Sequence, residues 1–163
     1  MAMRWGVIAV IIVVIIIVAG GAAFFLTLQA PQVQGVKIRS IDNISRSGLT
    51  FTFSVVIYNP NIIGMTIKDV TYNLFLTERN QLLSNGTSDG AYIQARGSTE
   101  VFITSTVFFA PAISTAFLTI FNKSVIMNVN GVVTAHPLLI DVSVPFNQTF
   151  DAYPYIKNAL PKA

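Results

Sequence analysis

The chain has 163 residues and a formal net charge of +3, with hydrophobic residues at 53% and charged residues at only 10%. This charge is small and spread out, with no cluster of Lys and Arg, so the composition excludes a nucleic-acid-binding surface. Cysteine is absent, which excludes a disulfide scaffold and any thiolate chemistry.

An uncharged stretch at residues 5–28 follows a short tail at residues 1–4. At about 1.5 Å of rise per residue it would form roughly 36 Å of helix, enough to cross a hydrocarbon core of about 30 Å. A cleaved signal peptide is the alternative, but its apolar core would be only about 7–15 residues long. We therefore expect a transmembrane helix that stays attached as a signal anchor and holds the chain in a lipid bilayer. Gly20 and Gly21 could allow close packing with another helix.

The domain after the span is predicted to lie outside the cytoplasm. Arg4 and the α-amino group precede the span, while Lys37 and Arg39 beyond it weaken the charge asymmetry. Four Asn-x-Ser/Thr sequons support an external domain; their asparagines, candidate N-glycosylation acceptors, are Asn43, Asn85, Asn122 and Asn147. These features predict a single-pass protein of the cell membrane.

The remaining chain is divided into a stalk at residues 29–35, a folded domain at 36–150 and a loose C-terminal tail at 151–163. Alternating apolar and polar residues predict strands through the folded domain. The clearest strand runs from Leu49 to Tyr58, and another is expected from Leu138 to Phe146. In between, Gly131 is expected to interrupt a strand pattern.

Local signals refine this pattern. The apolar phase slips between Ile67 and Val70, which predicts a bulge or break near Lys68 and Asp69. Asn85-Gly86 and Asp89-Gly90 are turn signals, and Ala112 to Asn122 has the spacing of a short amphipathic helix. Six or seven strands plus one short helix predict a mainly β protein, an antiparallel β-sandwich of two sheets with an immunoglobulin- or fibronectin-like form.

The clearest strand ends at Asn59-Pro60-Asn61, where the proline cannot continue a ladder and both asparagines can bond local backbone. We expect a structural turn here rather than a ligand site. With its flanking pattern the tripeptide resembles the group-2 late embryogenesis abundant family, whose module is also called the water-stress and hypersensitive-response (WHy) domain. The resemblance covers about Val36 to Val144, and the matching residues are Phe51 to Tyr58, Asn59 to Asn61, Ile63, Ile67 to Tyr72, Leu74, Ile93, Ala95, Gly97 to Thr99 and Val101.

This resemblance implies a β-sandwich of two antiparallel sheets with a helix, and non-enzymatic roles in desiccation, cold or other stress. The resemblance also implies that the family has membrane-anchored members in plants that are linked to defence. The present chain differs from the soluble plant members in its predicted anchor and its few charges.

The sequence predicts no catalytic, cofactor or metal site. His136 is the only histidine and has no Cys or carboxylate cluster beside it in the sequence. The aspartates stand singly, and the glycines do not follow a phosphate-loop spacing. The aromatic residues at Phe102, Phe108, Phe109, Phe117 and Phe121 are expected to be core, with lining of a lipid cavity as the alternative.

Three functions remain open at this point. The first is a membrane-anchored module for interaction with proteins or envelope material, including self-association, with a stress-protective role. The second is a structural subunit of a membrane complex or a pilin-like surface filament, although Arg4-Trp5-Gly6 is a poor processing site. The third is a lipid-binding domain.

Overall fold

Seven β-strands and two helices make up most of the described chain. The computed structural model describes residues 11–21, 27–45, 47–108, 124–138 and 140–159. Helix α1 covers residues 11–21, helix α2 covers Tyr153–Ala159, and a short 3-10 turn covers Thr77–Arg79. The strands are β1 Gln32–Asp42, β2 Gly48–Tyr58, β3 Met65–Leu76, β4 Gln81–Ile93, β5 Ser98–Phe108, β6 Ile126–His136 and β7 Val142–Asp151.

The strands form two antiparallel sheets that pack into a sandwich. Sheet A has the order β1-β2-β5, and sheet B has the order β4-β3-β6-β7. The predicted mainly β protein with a two-sheet antiparallel sandwich is therefore confirmed, and the seven described strands agree with the six or seven expected. The helix predicted from Ala112 to Asn122 lies outside the described residues, as do Phe109, Phe117 and Phe121. Phe102 and Phe108 are 59% and 79% exposed, so the prediction that these two rings are core was wrong.

The core lies between the sheets and is built from the alternating faces of the strands. On β2, Phe51, Phe53 and Val55 have no exposed surface, because every second side chain of a strand points to the same face. The Phe53 ring meets Tyr72 of sheet B edge-on at 5.3 Å, and Phe51 stacks on Phe150 at 5.6 Å. Each such buried ring stabilises the fold by roughly 1.5–3 kcal/mol.

One end of the sandwich, which we call the proximal end, receives the chain from the N-terminal side. The register places the starts of β1, β3, β5 and β7 there together with the ends of β2, β4 and β6. The pairs that show this are Gln32 with Tyr58, Tyr58 with Ser98, Met65 with Ile93, Thr66 with His136, and Ala135 with Val142.

Strand β4 runs without a break through both predicted turns, at Asn85-Gly86 and Asp89-Gly90, so that prediction was wrong. The two glycines instead leave room for atoms of the neighbouring strand β3. A Cβ on Gly90 would lie 1.7 Å from the Ile67 carbonyl oxygen, and one on Gly86 would lie 3.0 Å from the Tyr72 hydroxyl. Glycine is needed at Gly90 because the β3 backbone approaches too closely for any side chain.

The bulge predicted near Lys68 and Asp69 is confirmed, since the pairing of β3 with β6 shifts register between Ile67 and Asp69. Two other predicted boundaries were wrong. Gly131 lies inside the continuous strand β6, and the strand expected to begin at Leu138 begins at Val142. Leu138 instead has a φ of 62°, a left-handed conformation that belongs to the turn between β6 and β7.

The segments before and after the domain also differ from expectation. Strand β1 starts at Gln32, so the end of the predicted stalk at 29–35 already pairs with β2. The predicted loose tail from 151 is wrong at its start, because Asp151 ends β7 and α2 follows. Ile156 of α2 is fully buried against the sandwich.

Of the predicted transmembrane segment at residues 5–28, the structure describes α1 and residues 27–28, while 1–10 and 22–26 lie outside the described residues. Thr27 is in a turn and Leu28 is not helical, so the predicted helical end at residue 28 was wrong. Among the residues that are described, no helix is both long enough and apolar enough to cross a membrane.

Candidate functional site

The Asn59-Pro60-Asn61 turn joins β2 of sheet A to β3 of sheet B at the proximal end. Pro60 ends the β2 ladder because it has no N–H to donate. Asn59 is fully buried, and Asn61 is 5% exposed. A buried amide side chain costs free energy unless its donors and acceptors find partners, so the contacts of these two asparagines define the site.

Asn59 connects the β2–β3 and β4–β5 loops through its side chain and backbone. Its Nδ2 donates to the carbonyl oxygens of Ile63 at 2.7 Å and Gln94 at 3.1 Å. Its Oδ1 accepts from the backbone N–H and the Nδ2 of Asn61, at 3.0 and 3.1 Å. Its own N–H donates to the Gly97 carbonyl at 2.9 Å. Two donated and two accepted bonds use the full capacity of the amide.

Asn61 extends this network to the segment that precedes β1. Its Oδ1 accepts from the Gln29 N–H at 2.7 Å, and its Nδ2 donates to the Gln29 carbonyl at 2.8 Å. The amide therefore pairs with the backbone of Gln29 as a neighbouring strand would. We call Asn59, Asn61 and Gln29 the asparagine clamp.

The two buried amides of the clamp have hydrogen-bond partners for both their nitrogen and their oxygen atoms. Across the described part of the chain, no buried side-chain nitrogen or oxygen lacks a partner. Its chemistry is structural: it ties the N-terminal junction, the β2–β3 loop and the β4–β5 loop together, as the predicted structural turn requires. The sequence did not indicate Gln29, because a side-chain contact across 32 positions leaves no local pattern.

The sequons lie apart from one another. Asn43, Asn85 and Asn147 are exposed, and Asn122 lies outside the described residues. Asn85 and Asn147 take part in a second feature, a row of asparagines across the outer face of sheet B.

This asparagine row places one amide on each strand of sheet B at the same register. Asn85 pairs with Asn73, Asn73 with Asn130, and Asn130 with Asn147. Asn73 Nδ2 donates to Asn130 Oδ1 at 3.4 Å, and Asn128 Nδ2 donates to Asn147 Oδ1 at 2.5 Å. Since directly paired residues share a face, the row forms an uncharged polar stripe that was not anticipated from the sequence.

The single histidine belongs to an exposed ion-pair cluster at the proximal end. His136 Nδ1 lies 2.6 Å from Asp141 Oδ1, and Lys68 Nζ lies 2.9 Å from Asp141 Oδ2. Hydrogen bonds from His136 and Lys68 hold the pKa of Asp141 below its usual value, and Asp141 raises the pKa of Lys68. This cluster ties the β6–β7 turn to β3.

A second ion-pair cluster covers the outer face of sheet A. Glu100 accepts from Lys37 at 3.1 Å, from Ser54 at 3.1 Å and from Arg39. The Arg39 guanidinium also lies 5.5 Å from the centre of the Phe102 ring. Neither cluster gathers three groups that could hold a metal ion, and no such group occurs among the described residues.

Both sides of the sandwich carry a small cleft, and the one between β4 and β5 has about 220 Å³. Ser84 and Ser105 bond at 2.6 Å between β4 and β5, where the sheets meet. On the opposite side, a cleft of about 270 Å³ separates β1 from β7; it is lined by Val33, Gln34, Gly35, Val36, Pro145, Phe146, Asn147 and Gln148. Small-molecule sites usually have about 300–1,000 Å³, so this cleft is below the range of a lipid-carrying cavity.

Solved structures resemble this fold. A protein from Arabidopsis thaliana, determined in solution, aligns with a TM-score of 0.60 at 13% identity, over 77% of this chain and 84% of that one. A late embryogenesis abundant protein, also in solution, has a TM-score of 0.51 at 17% identity, over 88% of this chain and 83% of that one. A crystal structure from Archaeoglobus fulgidus has a TM-score of 0.50 at 8% identity, over 74% and 97%.

Family models add sequence evidence to the shared fold, although no curated protein matches the chain significantly. Residues 1–80 match the model of vacuolar segregation subunit 7, and residues 54–149 match that of the late embryogenesis abundant protein family. The second match spans more than half of the chain and contains the asparagine clamp's turn, the bulge of β3 and the Gly97 loop. The chain belongs to the late embryogenesis abundant type-2 family.

Proposed function

We propose that the chain is a single-pass, membrane-anchored and non-catalytic interaction module, with its sandwich outside the cytoplasm. The observation that supports the anchor is the exposed apolar surface of α1. Residues 11–18 are all Ile or Val, and each side chain is at least 51% exposed. The surface of a soluble protein usually exposes apolar residues singly, not eight in a row. A bilayer would cover this run together with the apolar residues on either side of it in the sequence.

The asparagine row supports the interaction role. It presents amide groups without net charge across four strands, and amides can both donate and accept hydrogen bonds. Hydroxyl-rich envelope material and uncharged protein surfaces fit such a stripe. A stress-protective role would follow if this contact holds envelope components in place when water is limiting.

The anchor is tested by replacing Ile15 and Val18 with Lys in the full chain. A Lys near the centre of a transmembrane helix costs about 2.5–3.5 kcal/mol in insertion, so the double variant should leave the alkali-resistant membrane fraction. Leu82→Lys, at an exposed strand position, is the control and should stay with the membrane. Recovery of the double variant in the membrane fraction to the level of the wild type would refute the anchor.

The outside location is tested with a single cysteine in this cysteine-free chain. A Leu82→Cys variant should react with a membrane-impermeant maleimide in intact cells. Reaction only after lysis would place the sandwich inside and contradict the proposal.

The interaction role is tested with Asn73→Ala and Asn130→Ala combined in the full chain. We expect lower retention on isolated envelope material, without a change in membrane anchoring. The matched control is Thr52→Ala with Thr104→Ala, which also removes a cross-strand side-chain contact, at 3.3 Å on sheet A. Equal retention of both double variants would contradict a role for the row.

The pilin-like and lipid-binding alternatives have less support. The cleft between β1 and β7 is small for a lipid, as its volume shows. A filament subunit processed before the apolar segment would lack its first residues, so the mass of the native N-terminus separates the filament from the anchor.

A further inference from the structure

We propose that the proximal end of the sandwich lies against the surface of the bilayer that holds residues 5–28, with an apolar rim entering the interface. The rim consists of Ile62, Tyr92, Leu138 and Ile140. This inference rests on the anchoring proposed above, and it adds an orientation and a contact surface that anchoring alone does not require.

The strand register places the four rim residues close together. Ile62 lies three residues before β3, and Tyr92 pairs with Thr66 at the start of β3. Leu138 and Ile140 occupy the turn between β6 and β7, the next two strands of sheet B. With strands about 4.8 Å apart, three spacings place the four side chains within a width of about 14 Å at one end of the sheet.

The side chains of the rim are exposed to solvent. Ile62 is 63% exposed, Tyr92 is 65% exposed, and Ile140 is 60% exposed. The Asp141 carboxylate, held by Lys68 and His136, fixes the turn that presents Leu138 and Ile140. Aliphatic tips with a tyrosine beside them have the chemistry of the membrane interface, where aromatic rings with a polar group concentrate.

The asparagine clamp places this end next to the membrane. Gln29 follows directly after the predicted span, and its N–H and carbonyl are both bonded to Asn61. The described helix ends at residue 21, so the chain from there to Gln29 spans at most about 29 Å, which is eight steps of no more than about 3.6 Å. The clamp and the rim are at the same end of the sandwich, so a short tether brings the rim to the lipid surface.

Charge at this end is compatible with lipid headgroups. Arg96 lies in the β4–β5 loop, is exposed, and donates its backbone N–H to the Asn61 carbonyl at 2.9 Å. The carboxylate nearest to the rim, Asp141, is paired with a cation. Exposed apolar residues at the far end, among them Leu82, are about one strand length away, roughly 36 Å for 11 residues.

The test uses the full chain in phosphatidylcholine vesicles with one spin label at a time. The chain has no native cysteine, so Ile62→Cys, Ile140→Cys, Leu82→Cys and Val14→Cys each give a single site. Molecular oxygen concentrates in lipid and a nickel chelate stays in water, so their relative accessibility reports the surroundings. Leu82→Cys is the matched control because Leu82 is also an exposed aliphatic residue on sheet B.

We expect the labels at 14, 62 and 140 to be several-fold more accessible to oxygen than to nickel, and the label at 82 to show the reverse. If the labels at 62 and 140 are more accessible to nickel while the label at 14 is more accessible to oxygen, the docking would be overturned and the anchor would remain supported. Low access of both probes at 62 and 140, with spin-spin broadening that dilution with unlabelled protein removes, would show that a second copy covers the rim and would also overturn it. Nickel access at 14 would refute the anchoring on which the inference rests.

Discussion

Replacing Asn59 with Ala should be among the most damaging single changes in this fold. The side chain has no exposed surface and makes four hydrogen bonds. At a net value of roughly 0.5–1.5 kcal/mol for each bond, the loss is about 4 kcal/mol. Domains of this kind are stable by about 5–15 kcal/mol, so Asn59→Ala should still fold but with little reserve.

The assay is urea unfolding of the full chain in detergent, followed by circular dichroism in the far ultraviolet. With a slope of about 1–3 kcal/mol per molar urea, the loss corresponds to a midpoint about 2 M lower. The control is Asn85→Ala, an exposed asparagine on β4, which should change stability by no more than about 0.5 kcal/mol.

A second variant, Asn59→Asp, isolates the two donated bonds. The shape of the side chain is kept, but a carboxylate oxygen then faces the carbonyls of Ile63 and Gln94. Burial raises the pKa of the introduced carboxyl above its unfolded value of about 3.9, so the protein should become more stable as the pH falls through that raised pKa. Stability of Asn59→Asp that equals the wild type at pH 7, or that does not change with pH relative to wild type, would refute the hydrogen-bond argument.

Three further predictions concern other parts of the fold. Burial raises the pKa of Asp151, but hydrogen bonds from two backbone N–H groups and a serine hydroxyl hold this pKa below its usual value. The carboxylate therefore stabilises the fold fully above about pH 4, and this stabilisation is lost at lower pH. Asp151→Asn should make the urea midpoint depend less on pH on the acid side. Gly90→Ala, whose new Cβ meets backbone, should cost about 1–3 kcal/mol and lower the urea midpoint more than Gly86→Ala, whose new Cβ meets the end of a side chain; equal midpoints would contradict this. Phe53→Ala should cost about 3–5 kcal/mol in thermal unfolding, whereas Phe102→Ala, at 59% exposure, should cost much less.

The sequence predicted those features that depend on neighbouring residues. Strand β2 was clear because its core residues alternate over ten positions, and the bulge was clear because the apolar phase slips at Lys68. The fold class follows from such strands, since half-buried faces must pack on another sheet. The signals at Asn85-Gly86 and Asp89-Gly90 misled because each glycine accommodates an atom of β3, which is far away in the sequence.

The candidate site was predictable only in part, for the same reason. Asn59, Pro60 and Asn61 were identified as a turn from their local chemistry. The partners of that turn at Gln29, Gln94 and Gly97 depend on how three loops meet at one end of the sandwich, and no local pattern records this. The asparagine row likewise exists only once the register of four strands is known.

The two asparagines of the turn bond to each other and have different further partners. Asn59 bonds to the β2–β3 and β4–β5 loops, so it stabilises the sandwich whether or not the N-terminal segment is attached. Asn61 bonds through both polar atoms of its amide to Gln29, a residue outside every strand, and its Nδ2 also donates to Asn59 Oδ1. The two bonds to Gln29 hold this residue, which lies three residues before β1, against the β2–β3 loop. The turn is buried at the end of the sandwich where the chain enters, so its two amides join Gln29 to the β2–β3 and β4–β5 loops at that end.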